Sequence, residues 1–502
     1  MNDSADNKQI DVNEKILMLP PIWFGLRFPE VLKKHIKPVD LKTTKDAVSY
    51  VHSLSEDFLA DTLGFLGNPE SPIVYLGRED RFLRYEPENG IYSPIGVSQI
   101  LTDLSSLINK CATECEKPNF CDTDSLRFTL SKANHLSGVI TKAKGLLKVP
   151  EAYFDNSVED YIACKNGMLR LADMELLPFD PKYRRRNKLS VAYDPSVKCP
   201  LFLETLMRQS LDDEDILFLQ EWFGLALMGK NVSHAILILV GTAGTGKSTF
   251  VKILTEIVGK NNVHTLRTER LGEKFETSFY LGKTLLHGVD VGSDFLTQKT
   301  ASVLKALTGG DIMNVELKNA REGGPEIEGY FNVVIICNAL PNIRIEGDYG
   351  AWKRRLKLVE YRKPKPDTVI TTLADMILNN EGSGVLNWAL EGLKRLRENG
   401  WCFKLTTNQN ELVDKVLLQS DSPRQFVRRC LVEEKDHLLT QDDCSGAYVS
   451  FCRKIGWLPL ASTKACPIIE DEIMREFGLS RRNDIKGSNG KDQRGWKGIK
   501  VK

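Results

Sequence analysis

The chain has 502 residues, 42% hydrophobic and 27% charged, the balance of an ordinary soluble protein with room for two to four domains. Its 68 basic and 67 acidic residues nearly cancel, leaving +1, so any nucleic-acid surface has to come from local clustering. No apolar run reaches the roughly 18 residues of a membrane span. The start, Met1 to Lys8, lacks the basic residues and apolar core of a signal peptide, so a cytoplasmic protein with no membrane partner is expected.

In chain order, residues 1–150 read as a mixed α+β region without a chemistry-bearing constellation. Short strands are expected at 72–77 and 83–85 and an amphipathic helix at 96–112. The eleven cysteines show no paired framework, which suits a reducing compartment. Cys111, Cys115 and Cys121 lack the C-x₂-C pairing of zinc knuckles and read as plain thiols. A second region, 151–230, carries an Asn-Gly hairpin signal at Asn166-Gly167 and a helical stretch over 201–230. Its basic run Tyr183-Arg184-Arg185-Arg186 reads as a solvated loop, with DNA contact as the alternative.

An α/β core is expected over 231–400. Six apolar residues, Ala235 to Val240, have the character of a buried parallel strand and run into Gly241-Thr242-Ala243-Gly244-Thr245-Gly246-Lys247-Ser248-Thr249. Gly241, Gly246, Lys247 and Ser248 fill every fixed position of the phosphate-binding loop G-x-x-x-x-G-K-[ST]. Glycine lets backbone N–H groups curl around phosphate, Lys247 brings a charge for the β/γ-phosphates, and the Ser248 hydroxyl suits Mg²⁺. Phe250, Val251, Leu254, Ile257 and Val258 then recur at helical spacing before Gly259. A nucleoside triphosphate with Mg²⁺ is the expected ligand.

Hydrolysis of such a ligand needs a carboxylate near the metal, a group to orient water and a cation for the transition state. Asp290 ends an expected strand over 284–289, and Asn338 follows another over 331–337. Arg354 and Arg355 come sixteen and seventeen residues after Asn338. Helices are expected over 369–398, with Gly400 as a cap. From about 401 a linker leads to a small module that ends in a basic stretch. Residues 478–502 hold eight basic residues against two acids, and Trp496 with nearby glycines suggests a β-hairpin there.

The order of these motifs resembles the superfamily 3 helicases, specifically the phage/plasmid primase–helicase family that includes the poxvirus-type replicative NTPases. The matching segments are Cys164 to Leu169, Tyr193-Asp194-Pro195, Gln220 to Gly224, Leu307 to Asp311, Ile336 to Pro341, Trp352 to Tyr361 and Glu381 to Trp388. The resemblance implies an AAA+-like P-loop ATPase core that works as a homo-oligomeric ring, usually a hexamer. ATP would lie between subunits, with Lys247, Ser248, Asp290 and Asn338 on one side and an arginine finger from the neighbour. The family's acidic strand usually carries closely spaced acids, so the partner of Asp290 is Asp294 or absent. One extra residue after Trp352 leaves the finger as Arg354 or Arg355.

The resemblance also implies a hairpin over Asn314 to Glu322 in which Lys318 and Arg321 contact single-stranded DNA. A C-terminal winged-helix-like domain would bind duplex DNA, with one helix over 447–457, another over 470–477, and a wing over Arg494 to Ile499. Arg481, Arg482, Arg494 and Lys497 are its expected DNA contacts. No paired acids with metal-binding spacing occur in the first 150 residues, so a primase, where used, is expected to be a separate protein. The resulting expectation is an ATP-dependent DNA helicase in replication of a phage, plasmid or integrated element. The rival readings are an ATP-dependent DNA-binding initiator without processive unwinding and a P-loop kinase acting on a small molecule.

Overall fold

The computed structural model describes residues 71–103, 105–106, 133–154, 160–316, 324–341, 343, 349–364, 370–487 and 490–502. Strands β1 (Ile73–Leu76), β2 (Arg81–Glu86) and β3 (Ile91–Ile95) form an antiparallel meander whose buried residues Leu83, Tyr85 and Tyr92 pack on Phe154. β3 is additional to the two strands expected. It contains Pro94, which weakens a strand signal but is tolerated on the outer strand of a sheet. Residues 97–103 are helical, while Cys111, Cys115 and Cys121 lie outside the described residues. Helix α1 (Ala133–Leu146) leads to a second meander of β4 (Tyr161–Cys164), β5 (Gly167–Arg170) and β6 (Glu175–Leu177). The Asn-Gly turn joins β4 to β5 as expected, with Cys164 opposite Gly167.

The run Tyr183 to Arg186 is not a solvated loop. Arg186 makes two bonds to Glu79, at 2.6 and 2.7 Å, Arg184 lies 4.3 Å over the Tyr153 ring, and Arg185 is buried. The run threads between the first meander and the rest of the fold, so packing takes up its cations. The helical stretch expected over 201–230 is divided into a π-helical turn at Phe202–Met207 and helix α2 (Asp213–Met228).

Five strands then build one parallel sheet. They are β7 (Ile236–Val240), β8 (Val263–Thr265) and β9 (Leu285–Val291), then β12 (Asn332–Cys337) and β13 (Leu356–Glu360). Their spatial order is β13-β7-β12-β9-β8. β7 has a partner on each side and all five of its residues are buried, which is why it is apolar throughout rather than alternating. Helices α3 (Lys247–Val258), α4 (Gln298–Gly309), α5 (Tyr349–Arg355) and α6 (Leu373–Glu398) connect or follow these strands. A short antiparallel pair, β10 (Ile312–Asn314) and β11 (Glu326–Glu328), branches off before β12.

One face of the sheet packs on α2, α3 and α6 around Trp222, Phe223, Phe250 and Leu386. The other packs on α4 and α7 (Thr407–Ser420) around Leu304, Trp352 and Leu417. Asn231, fully buried, ties the start of β7 to the start of β12, donating to Ala235 O and Phe331 O at 2.9 Å each and accepting from Ala235 N. The buried amide thereby satisfies main-chain groups that would otherwise be orphaned at the sheet edge.

The C-terminal module has its own core around Phe426, Tyr448, Ile473 and Trp496. It consists of α8 (Ser422–Cys430), β14 (Leu431–Thr440), α9 (Gln441–Lys454), α10 (Ser462–Phe477), β15 (Arg482–Lys486) and β16 (Asp492–Val501). The hairpin is present, but Arg494 to Ile499 is not a projecting wing. Those residues lie in β16, the middle strand of the order β14-β16-β15, with Trp496 and Ile499 buried. A Cβ at Gly495 would stand 2.2 Å from Leu439 O, so the glycine marks close strand approach rather than a turn. No helix among the described residues is long and apolar enough to cross a membrane.

Candidate active site

The loop after β7 turns through three glycines with positive φ, Gly241 at 150°, Gly244 at 86° and Gly246 at 91°. A Cβ at Gly241 would come 2.8 Å from Tyr361 O, and one at Gly246 would come 2.9 Å from Leu206 Cδ1. Conformation and backbone crowding therefore both require glycine at Gly241, while at Gly246 the positive φ alone does. Helix α3 starts directly at Lys247, and no side chain caps it. Its first N–H groups and the positive end of its dipole are thus free to serve an anion.

Ala243 to Thr249, Asp290 and Asn338 line one cleft of about 540 Å³, a size within the range of nucleotide-like ligands. Gly241 and Thr242 stand behind it. Their carbonyls accept hydrogen bonds from Lys247 Nζ at 2.6 and 2.8 Å. Lys247 is only 4% exposed. Burial lowers its pKa, opposed by the charge of Asp290 and the Cys337 thiol. An ammonium held on two loop carbonyls beside the cleft is set to exchange one of them for a phosphate oxygen.

Asp290 and Asn338 reach the cleft because β9 and β12 run parallel to β7 and end at the same sheet edge. Ligands of open parallel sheets bind at that edge. Asp290 has φ 54°, and the β9–β12 register slips there, from Ile335 opposite Gly288 to Cys337 opposite Val291. This irregularity re-aims the acid, and the left-handed conformation costs aspartate less than most side chains. Asp294 does not line the cleft. It borders a neighbouring cavity of about 620 Å³ that Asp290 also touches. Of the two acids, only Asp290 joins Ser248 in the cleft, and these two supply the oxygen donors that suit Mg²⁺.

The structure does not bring Arg354 and Arg355 to this cleft. They end α5, and the next residue, Leu356, pairs with Ile236 at the start of β7, whereas Glu360 pairs with Val240 at its end. About 13 Å of strand therefore separates them from the loop. The two arginines differ. Arg354 is exposed, and its carbonyl accepts from Lys357 Nζ at 2.7 Å. Arg355 is half-buried, donates to Ala351 O at 3.3 Å, and packs against Gly309 at the end of α4.

Sequence patterns did not reveal the far wall of the cleft, which is Thr205, Leu206, Gln209, Ser210, Ile370 and Leu373. These come from the π-helical turn and the residues just after it, and from the approach to and first residue of α6, neither of which carries a chemical motif. Lys318 and Arg321 lie outside the described residues, between β10 and β11, whose register sets Asn314 opposite Glu326. Of the C-terminal cations, Arg481 pairs with Glu470 at 3.0 Å, Arg482 with Asp484 at 2.6 Å and Lys497 with Asp436 at 3.0 Å, while Arg494 is exposed. Surface pairs of this kind are worth only about 0–1 kcal/mol, so phosphate can displace them.

Two family models match the chain. Residues 76–209 match "D5 N terminal like", and residues 239–355 match a "Family of unknown function (DUF5906)". Domains of these two kinds are typical of phage and plasmid primase–helicase proteins. Among solved structures, the A form apo structure of NrS-1 C terminal region is similar at 14% identity and TM-score 0.47, covering 89% of this chain and 100% of that one. Another apo structure of the NrS-1 C terminal region is similar at 13% identity and TM-score 0.46, covering 88% of this chain and 99% of that one. No curated protein matches the chain. The two family models suggest a phage-type replication protein of the primase–helicase class.

Proposed function

We propose that this chain is an ATP-dependent DNA helicase of the superfamily 3 type, acting in replication of a phage, plasmid or integrated element. The observation that carries the reading is the division of the site. Lys247, Ser248, Asp290 and Asn338 share one cleft, while the arginine-bearing end of α5 lies at the opposite sheet edge. A site so divided is complete only when a second copy supplies its cation. The exposed Arg354 is the better finger, because Arg355 is engaged within its own subunit.

In this reading ATP lays its phosphates on the first turn of α3 and on Lys247. Ser248 and Asp290 would hold Mg²⁺, which neutralises charge on the β- and γ-phosphates. The Asn338 amide orients the attacking water. Assembly is proposed to be a ring, hexameric by resemblance. Lys318 and Arg321 then track single-stranded DNA, and the C-terminal module engages duplex through Arg481, Arg482, Arg494 and Lys497.

The test is the ATPase rate with and without single-stranded DNA, alongside solution mass by light scattering. Stimulation in an oligomer of several copies is the expected result. A fully active monomer indifferent to DNA would overturn the reading in favour of a small-molecule kinase or another soluble NTPase.

A further inference from the structure

The far wall of the Lys247 cleft has a chemistry that phosphate groups do not use. Its six residues are Thr205, Leu206, Gln209, Ser210, Ile370 and Leu373, none of them charged. Leu206 and Leu373 are 4% and 8% exposed, whereas Ile370 is 42% exposed. A single exposed isoleucine on an open surface would be ordinary. Here it shares a cleft of about 540 Å³ with two buried leucines, so the cleft offers its occupant an apolar surface to cover.

This wall is held firmly in place. The π-helical turn Phe202–Met207, which carries Thr205 and Leu206, is clamped at both ends. At its start the carboxylate of Glu381, buried in α6, accepts from Leu201 N at 2.8 Å and from Phe202 N at 2.9 Å. Just past its end Lys363 Nζ donates to Arg208 O at 3.1 Å and to Leu211 O at 2.6 Å. Lys252 of α3 bonds Asp375 at 2.7 Å, which ties the first turn of α6, and Leu373 with it, to the helix that begins at the phosphate loop. Isolated π-helical turns are rare and concentrate at functional sites. A wall fixed before its ligand arrives lowers the ordering cost of binding. With phosphates on the first turn of α3, the base and sugar of a nucleotide are left to this opposing wall, and aliphatic side chains suit a flat ring better than another charged group.

We propose that the far wall is the nucleoside site of the cleft, with Leu206, Ile370 and Leu373 forming the slot that packs on the nucleobase. Thr205, Gln209 and Ser210 supply neutral hydrogen-bonding groups for the edge of the base and the ribose hydroxyls. The inference rests on the reading of the Lys247 loop as a nucleotide phosphate site, and it assigns the residues that hold the rest of that nucleotide.

The test is calorimetric titration of the full chain with ADP and, in a second arm, with inorganic pyrophosphate, both with Mg²⁺. ADP carries the base and ribose, whereas pyrophosphate offers only the groups that the loop would hold. Ile370 is exposed, so Ile370→Asn should leave the fold intact. Its affinity for ADP should fall roughly tenfold, because apolar contact is lost and an amide is desolvated against the base. Pyrophosphate should bind it as it binds the parent. Ile370→Leu, which keeps the apolar volume, should retain ADP affinity to within about twofold. Unchanged ADP affinity in Ile370→Asn overturns the proposal. An equal loss for ADP and pyrophosphate also overturns it, since the substitution would then act on the phosphates or on the fold. Failure of the parent to bind either probe would instead overturn the phosphate-site reading, and the slot with it.

Discussion

Lys247 shows how one side chain answers to both stability and chemistry. Its ammonium is buried and held on the carbonyls of Gly241 and Thr242, so the fold bears a desolvation cost that phosphate binding would offset. Lys247→Ala should therefore leave the protein folded, with an unchanged circular dichroism spectrum, while ATP hydrolysis falls to background. Turnover above a few per cent of the parent's would remove the loop from the catalytic site. Lys357 offers a cleaner titration. It is 8% exposed, and burial brings its pKa down from 10.5 to about 8. Below pH 8 it is charged in both folded and unfolded states and the full burial penalty applies. Above 10.5 it is neutral in both and the penalty is gone. The wild type should thus gain stability relative to Lys357→Met as pH rises from about 8 to 10.5, by on the order of 3 kcal/mol. Denaturant midpoints of the pair across that window check it, and a constant difference would show that Lys357 is not desolvated.

Among the elements, the contact of α2 with α6 depends on missing side chains. A Cβ at Gly392 would stand 2.2 Å from Gln220 O, and one at Gly224 would stand 2.6 Å from Ala389 O. Gly392→Ala should force the helices apart and cost about 1–3 kcal/mol. Gly446, exposed within α9 with nothing near its Cβ position, should respond to the same substitution with a gain of roughly 0.5–1 kcal/mol. Opposite signs in chemical denaturation are the expected outcome, and equal signs would mean that the close helix approach is not maintained in solution. The placement of α5 makes a further prediction. Arg354→Ala and Lys247→Ala, each inactive alone, should recover partial ATPase activity when mixed, because some interfaces then pair an intact loop with an intact finger. Arg355→Ala should instead act within its own subunit, with mixing giving less rescue. Absence of rescue by Arg354→Ala, with mixed assembly verified, would indicate that no arginine acts in trans.

For the whole molecule, the C-terminal sheet changes how DNA binding has to be tested. Deleting 478–502 removes the middle strand along with the cations, taking buried Trp496 and Ile499 out of the module's core. Loss of binding would then report unfolding. Replacing Arg481, Arg482, Arg494 and Lys497 with glutamine keeps the chain and removes four charges. The slope of log affinity for duplex DNA against log salt should flatten by up to about 3 to 4. Single-stranded stimulation of ATPase activity should persist in the same variant. An unchanged salt slope in fluorescence anisotropy would rule these four out as DNA contacts and leave Arg481, Arg482 and Lys497 to their intramolecular partners Glu470, Asp484 and Asp436.

The sequence by itself determined the features whose causes are local. The glycine spacing dictated the tight loop after β7, because only glycine takes positive φ there without strain. The unbroken apolar run Ala235 to Val240 dictated a strand buried on both faces, and Asn166-Gly167 dictated a hairpin turn. Only the tertiary structure decided what depends on residues far apart in the chain. Strand order carried Asp290 and Asn338 into one cleft and left Asp294 outside it. Register set the arginines at the opposite edge and turned Arg355 inward against Gly309. The basic run at 183–186 read as solvated because its partners, Glu79 and Tyr153, are distant or carry no pattern that pairs them with it. β16 read as a wing because its second neighbour, β14, lies more than fifty residues earlier. Dihedral preference and hydrophobic periodicity act within a few residues, whereas pairing across a sheet and burial of charge are settled only when the whole chain closes around them.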